Sequence, residues 1–279
     1  MTGRSHYQLQ VASATHPGVI RACNEDSIAT DDDLGLMVLA DGMGGYKAGD
    51  VASSIATGLI MDYLRAQLEQ MGPSAGRFSG MSPEAWAIQS TLEKTNLAIY
   101  NTAKSDNKFT SMGTTVAVVL FHQSLVTIAH VGDSRVYRLR DGRLSLLTHD
   151  HSLLQQQIEM GVISSEHARV SHNRNLVSRA LGVDPEIRIE INEHHVQPDD
   201  VFLLCSDGLN DMVDDADIEL AMRELRSNQP LTVNQLVQMA NDNGGHDNIS
   251  VILAKVLPKP TGVAALLDRA RRWLKNTQG

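Results

Sequence analysis

Four aspartates stand where apolar runs begin or end. Asp41 follows Leu36–Ala40, Asp133 follows the run ending at Val131, Asp207 follows Val201–Cys205, and Asp247 precedes Ile249–Val256. A carboxylate at a strand end is held by a rigid element yet faces the end of the sheet, so several can converge. Converging carboxylates repel one another and, without cations, would take up protons or splay apart. All-oxygen donor sets suit Mg²⁺ or Mn²⁺, and a glycine such as Gly42 lets its backbone carbonyl approach the ion closely. Taken singly, each Asp-Gly is also an ordinary turn dipeptide. Four together, each abutting an apolar strand, favour a metal cluster. Arg21 and the Asn24-Glu25-Asp26 run precede the first of these sites, and their own pattern reads as an exposed charged loop.

The elements that must position these groups follow from periodicity. Tyr7, Leu9 and Val11 alternate with polar residues, as a half-buried strand requires. Leu36–Ala40 is a short apolar strand ending at Asp41-Gly42. From Asp50 to about Gln70 the apolar spacing is helical, and Ser82-Pro83-Glu84 reads as the N-cap, first position and first-turn acid of a second helix reaching about Lys104. Thr114–Phe121, Leu125–Val131, Arg135–Leu139 and Leu144–Leu147 read as a meander of antiparallel strands. Residues 149–182 are polar and weakly helical. Strand character returns at Ile187–Ile191, Val201–Cys205 and Ile249–Val256, with helices predicted near 215–226 and 232–241. Strands segregated from helix pairs point to an α+β fold with antiparallel sheets rather than a βαβ repeat.

Composition narrows the function. The 279 residues are 42% apolar and 20% charged, which excludes a largely disordered chain. With 4% aromatics, the core must be built mainly from Val, Ile, Leu, Ala and Met. The net charge of −9 is uneven: residues 259–279 carry five basic residues against one acid, leaving −13 for the rest. So acidic a body is unsuited to nucleic acid. Cys23 and Cys205 show no CxxC spacing, which suits a reducing compartment. The apolar runs fall short of the roughly 18–20 residues of a membrane span, and the N-terminus has no apolar signal core, so a cytoplasmic protein is expected.

Other chemistries lack their motifs. There is no Gly-Lys for a phosphate-cradling loop, Lys47 stands where a dinucleotide fingerprint needs its third glycine, and Ser206 lacks the leading glycine of a nucleophile elbow. His149-x-His151 and His194-His195 read as exposed loop histidines, and Cys205 as an inert core thiol.

Read in order, Arg21-x-x-Asn24-Glu25-Asp26, Ala40-Asp41-Gly42-Met43-Gly44-Gly45, Gly113-Thr114-Thr115, Gly132-Asp133-Ser134-Arg135, Ser206-Asp207-Gly208 and Asp247-Asn248 resemble the motif series of the metal-dependent protein phosphatase family (2C or PPM). The Asp-Gly-Met-Gly-Gly form, and Leu147-Thr148-x-Asp150-His151-Ser152 ahead of an inserted lobe, are similar to bacterial members. The resemblance covers about residues 6–257. It implies a central sandwich of two antiparallel sheets flanked by helix pairs, with a flap at about 149–182. It further implies that Asp41 bridges two metals, that the Gly42 carbonyl serves one, and that Asp207 and Asp247 hold the other. Glu25 and Asp26 would act nearby, directly or through water, and Arg21 would bind the phosphate. Asp133, with Asp207, matches a third and weaker metal site. In the family's chemistry, water activated between two metals attacks phosphorus in line, with no covalent phosphoenzyme. Met43 departs from the His that many relatives carry there, so no side chain is assigned as general acid, and water on the metal at Asp133 is the expected substitute.

The resulting expectation is a monomeric serine/threonine phosphatase of residues 1–258, using two Mn²⁺ or Mg²⁺ and in some states a third. Its partners would be phosphorylated proteins, a serine/threonine kinase and that kinase's substrates, and no nucleic acid. The alternatives are a catalytically inactive metal-binding module that recognises phosphoproteins, and a small-molecule phosphatase. Residues 259–279 form a basic amphipathic tail, read either as a helix packed on the domain or as a weak dock for a membrane surface or an acidic partner.

Overall fold

Strands buried on both faces read as unbroken apolar runs, and here the reason is that each sheet is covered twice. The computed structural model describes residues 7–45, 48–71, 80–109, 111–163 and 176–258. Its strands are β1 (Tyr7–His16), β2 (Asp26–Asp31), β3 (Leu36–Met43), β4 (Gly113–Thr114), β5 (Val116–His122), β6 (Leu125–Val131), β7 (Arg135–Arg140), β8 (Arg143–Leu146), β9 (Glu190–His195), β10 (Val201–Cys205) and β11 (Ile249–Pro258). They form two antiparallel sheets, ordered β1-β11-β10-β7-β8 and β2-β3-β5-β6-β9, with β4 beside β3. Helices α1 (Ala48–Gln70) and α2 (Pro83–Ser105) cover the second sheet. The short α3 (Leu153–Glu159) lies in the segment expected to form the flap, α4 (Asp207–Asn210) follows β10, and α5 (Asp215–Glu224) and α6 (Gln229–Asp242) cover the first sheet. The layering is helices, sheet, sheet, helices, as the family resemblance implies.

Between the sheets lies a core of Met37, Leu39, Val119, Phe121, Phe202, Leu204 and Ile252, with Phe121 and Phe202 edge to face at 5.1 Å. Apart from the buried Tyr137, mainly aliphatic residues fill the two outer cores, as the low aromatic content requires. The α2 start forms as its sequence predicts: Ser82 Oγ accepts the Ala85 N–H at 3.0 Å, and Pro83 opens the helix.

The fold corrects four expectations. The strands from Thr114 to Leu147 are not one meander: β5 and β6 pair in the second sheet, while β7 and β8 pair in the first. The chain changes sheets at Gly132–Ser134, where Gly132 has φ +107 and a Cβ would sit 2.5 Å from the Thr115 Cβ. An alternating pattern cannot reveal that crossing, because strands of either sheet share it. Secondly, β2 begins at Asp26, within a segment whose charge reads as loop. Thirdly, His194 and His195 lie in β9, which starts at Glu190 rather than Ile187. Lastly, His151 is buried at 4% exposure instead of sitting on an exposed loop.

The tail 259–279, and residues 164–175 of the flap, lie outside the described residues. Among the described residues no helix is long and apolar enough to cross a membrane.

Ser82 Oγ also donates to Glu193 Oε1 at 2.6 Å, joining the α2 cap to β9. Ser82→Ala should therefore cost about 1–2 kcal/mol in urea unfolding, the usual range for a lost cap. An unchanged midpoint and slope would refute that role.

Candidate metal centre

Both sheets send carboxylates to one end of the sandwich. Asp41 sits in the last residues of β3 and pairs in register with Asp26 at the start of β2. Asp207 stands at the start of α4 just beyond β10, Asp247 precedes β11, and Asp133 lies in the crossing between β6 and β7. The backbone of Asp41 is fixed by three hydrogen bonds. Its carbonyl accepts from Thr115 N–H and Thr114 Oγ1, each at 2.8 Å, and its N–H donates to Thr115 Oγ1 at 3.3 Å. Hence Gly113-Thr114-Thr115 is a support for Asp41.

Gly42 is built for close approach. Its N–H donates to the Glu25 carbonyl at 3.1 Å, and a Cβ there would fall 2.1 Å from the Gly49 carbonyl oxygen. Asn248 fastens the neighbouring loop. Its Oδ1 accepts from the Glu25 N–H at 2.7 Å, and its Nδ2 donates to the Pro17 and Cys23 carbonyls, each at 2.9 Å.

The electrostatics describe a site short of positive charge. Burial, then the charges of Asp26, Asp207, Asp133 and Asp247, pushes the Asp41 carboxyl well above the ordinary range. Asp207 is raised likewise by burial and then by Asp133, Asp211, Asp247 and Asp26. Burial raises Asp26 to about 6, although Ser206 Oγ donates to its Oδ2 at 2.8 Å. Asp133 rises to about 7 through burial and then the charge of Asp150. Glu25 is raised by burial first, with Arg21 opposing and Asp50 and Asp247 adding to it. Arg21, half exposed, donates from Nη2 to Asp247 Oδ2 at 2.8 Å.

Asp26, Glu25, Arg21, Asp41, Gly42, Asp133, Asp207 and Asp247 thus all fall in one region. Asp26 is no exposed loop acid but a buried strand residue beside Asp41. The sequence reading missed Asp211, one helical turn beyond Asp207, and Asp50 in the first turn of α1; the Asp207–Asp211 spacing of four was its only signal.

The donor set fits divalent cations. All of these side-chain donors are oxygens, and the buried Oδ1 atoms of Asp26 and Asp207 have no hydrogen-bond partner among the described residues. Among the described residues, no three of these carboxylates bring ligand atoms all within 4.8 Å of one another. A pair of ions roughly 3.5–4 Å apart needs ligands spread more widely than one ion does.

Comparisons with known proteins identify the family. Residues 20–253 match the family model described as Protein phosphatase 2C. The serine/threonine phosphatase stp of Listeria innocua is 36% identical over 244 residues, covering 86% of this chain and 93% of that protein. The crystal structure of the Mycobacterium tuberculosis serine/threonine phosphatase PstP/Ppp superposes with a TM-score of 0.79 at 31% identity, covering 89% of this chain and 99% of that one. A structure of the PstP catalytic domain in complex with two manganese ions superposes with a TM-score of 0.76 at 31% identity, over 89% of this chain and 98% of that one.

A raised carboxylate pKa means that the folded chain binds the proton more tightly than the unfolded chain. Metal-free protein should therefore lose stability as pH climbs from about 4 through the raised values. Asp207→Asn removes one such charge. Without metal at about pH 8 it should melt roughly 2–8 °C above the parent, equivalent to about 1–2 kcal/mol. In saturating Mn²⁺ the order should reverse. Calorimetry in EDTA and in Mn²⁺ reads both, and a parent that is more stable in EDTA would sink the account.

Proposed function

The chain belongs to the protein phosphatase 2C family, and on that premise we propose which of its residues carry out the reaction. It is a metal-dependent serine/threonine protein phosphatase that uses Mn²⁺ or Mg²⁺. Residues 1–258 are its catalytic domain, with the flap at about 149–182. Asp41 would serve both ions of a pair, the Gly42 carbonyl one of them, and Asp207 and Asp247 the other. Glu25 and Asp26 would act beside them, and Asp133 with Asp207 would hold a third, weaker ion. When bound, such ions lower the pKa of water for attack on phosphorus and neutralise the charge that develops there.

The chain's own groups do the rest. The Arg21 guanidinium, held beside the cluster by Asp247, presents a planar fork that matches two phosphoryl oxygens. Asp26 stands behind Asp41 and ties it to Ser206 at the end of the other sheet. The Met43 thioether has no proton to give, so the leaving alkoxide takes its proton from water near Asp133. The observation that carries this reading is the buried Oδ1 of Asp207, partnerless among the described residues, beside Asp26, Asp41 and Asp133, whose carboxyl pKa values, like its own, are driven upward. An inactive phosphoprotein-binding module would have no need of every one of these acids. The substrates are phosphoproteins made by a bacterial serine/threonine kinase, met in the cytoplasm by a monomer. The basic tail 259–279 is a secondary dock for an acidic partner or membrane surface.

A phosphothreonine peptide should be hydrolysed in Mn²⁺ and not in EDTA. Asp41→Asn should lower kcat at least about 10²-fold, comparable to losing one strong transition-state contact. Arg21→Lys should lower kcat/KM by roughly tenfold with metal affinity unchanged. Equal turnover by the parent and Asp41→Asn overturns the assignment, and much faster turnover of small phosphate esters than of phosphopeptides overturns the protein-substrate reading.

A further inference from the structure

The segment Leu147–Ser152, which leads into α3 of the flap, grips the β6–β7 crossing on both sides of Asp133. Before Asp133, the His151 N–H donates to the Gly132 carbonyl at 2.9 Å, and the Gly132 N–H donates back to His151 Nδ1 at 3.2 Å. That exchange needs a bare Nδ1, with the ring proton on Nε2. After Asp133, Arg135 donates to both oxygens of Asp150 at 2.7–3.1 Å, and the Val136 N–H donates to Thr148 Oγ1 at 3.0 Å. The crossing is also fastened from the other side, since Ser134 Oγ meets Thr115 Oγ1 at 2.7 Å and Thr115 holds Asp41.

His151 is neutral and wedged. Burial, then His130 and Arg179, pulls its pKa down to about 4. Its ring stacks on His130 with centroids 4.7 Å apart and planes 17° apart, and Nε2 faces Glu190 Oε2 at 3.6 Å. His130, His151 and Glu190 bring ligand atoms within 4.8 Å of one another, which is the proximity a metal would need. An imidazole, however, binds an ion along a lone pair in its ring plane, and two stacked, nearly parallel rings cannot aim at one ion. His130 Nε2 is moreover engaged by the His149 carbonyl at 2.8 Å. The cluster is a wedge rather than a metal site.

We propose that His151 is a positioning residue for the Asp133 carboxylate, its Nδ1 locking Gly132 so that the root of the flap and the third metal site are set together. This rests on the reading of Asp133 as a ligand of that site. The structural reason is short reach. Gly132 directly precedes Asp133, its positive φ leaves it free of the strand ladder, and the two His151 bonds supply the missing restraint.

Mn²⁺ binding by calorimetry, on the full chain, tests it. His151→Phe keeps a stacking ring and deletes the acceptor, whereas His151→Asn keeps an acceptor where Nδ1 stood. In His151→Phe the weakest Mn²⁺ step should loosen roughly tenfold, the scale of one buried hydrogen bond, with the tighter steps within about twofold. Hydrogen exchange at the Gly132 amide should speed up in the same variant. His151→Asn should recover both. An unchanged weakest step in His151→Phe, or an Asn variant as impaired as the Phe variant, overturns the proposal. Asp133→Asn separates the two layers. If it leaves the weakest step intact, the ligand reading fails. If it removes that step while His151→Phe does not disturb it, the positioning role alone fails. Should His151→Phe not fold, Thr148→Val, which deletes the Val136 contact without a charge change, takes its place. The same loosening is then expected, and none rejects the clamp.

Discussion

The mutual repulsion of buried carboxylates is the constraint around which this structure is arranged. Asp26, Asp41, Asp133 and Asp207 have their proton affinity raised by burial, which removes the water that would screen them, and by neighbouring carboxylates, the charge of Asp247 adding to it at Asp26, Asp41 and Asp207. A chain left to itself would splay such groups apart. Here they cannot move, because each is fixed at or beside the end of a strand that sends alternate residues into the inter-sheet core. Packing of apolar side chains between the sheets thus sets the distance between charges several residues away. Divalent cations relieve the strain, and the same cations supply the chemistry.

Polar contacts join the two sheets at the charged end. Ser206 on the first sheet bonds Asp26 on the second, Arg21 reaches Asp247, and Asn248 gathers the loop from Pro17 to Glu25 with three hydrogen bonds. Close backbone approach completes the arrangement. Gly42 lies against Gly49, and a Cβ on Gly208 would fall 2.0 Å from the Asn248 carbonyl oxygen. These glycines are needed for space; neither has a positive φ. Larger residues there would push α1 away from the end of β3, and the Asp207 turn away from the start of β11, and carry the carboxylates with them.

Most of the elements were legible in the sequence, and the reason is burial. Val116–Phe121 and Val201–Cys205 are apolar throughout because both faces are covered, and Ser82-Pro83-Glu84 caps α2 because a cap is a local interaction. The segment at Asp26 was not legible as a strand. It lies at the edge of its sheet and carries polar residues, so its strand pairing leaves no period-two signature. Likewise His151 looks like a surface residue, since a histidine buried by stacking on another histidine far away in sequence leaves no local trace.

By itself the sequence determined the composition of the site: oxygen donors only, an arginine ahead of them, no nucleophile motif, and aspartates placed at strand ends. Order and residue type suffice for that, because they select the chemistry that is possible. The tertiary structure alone decided which sheet each strand joins, where the chain crosses at Gly132, that Asp26 lies beneath Asp41, and that the segment before the flap clamps Asp133. Those are relations between residues distant in the chain. They arise from packing two sheets on one core, and no local pattern of residues encodes the partner that a strand end will meet.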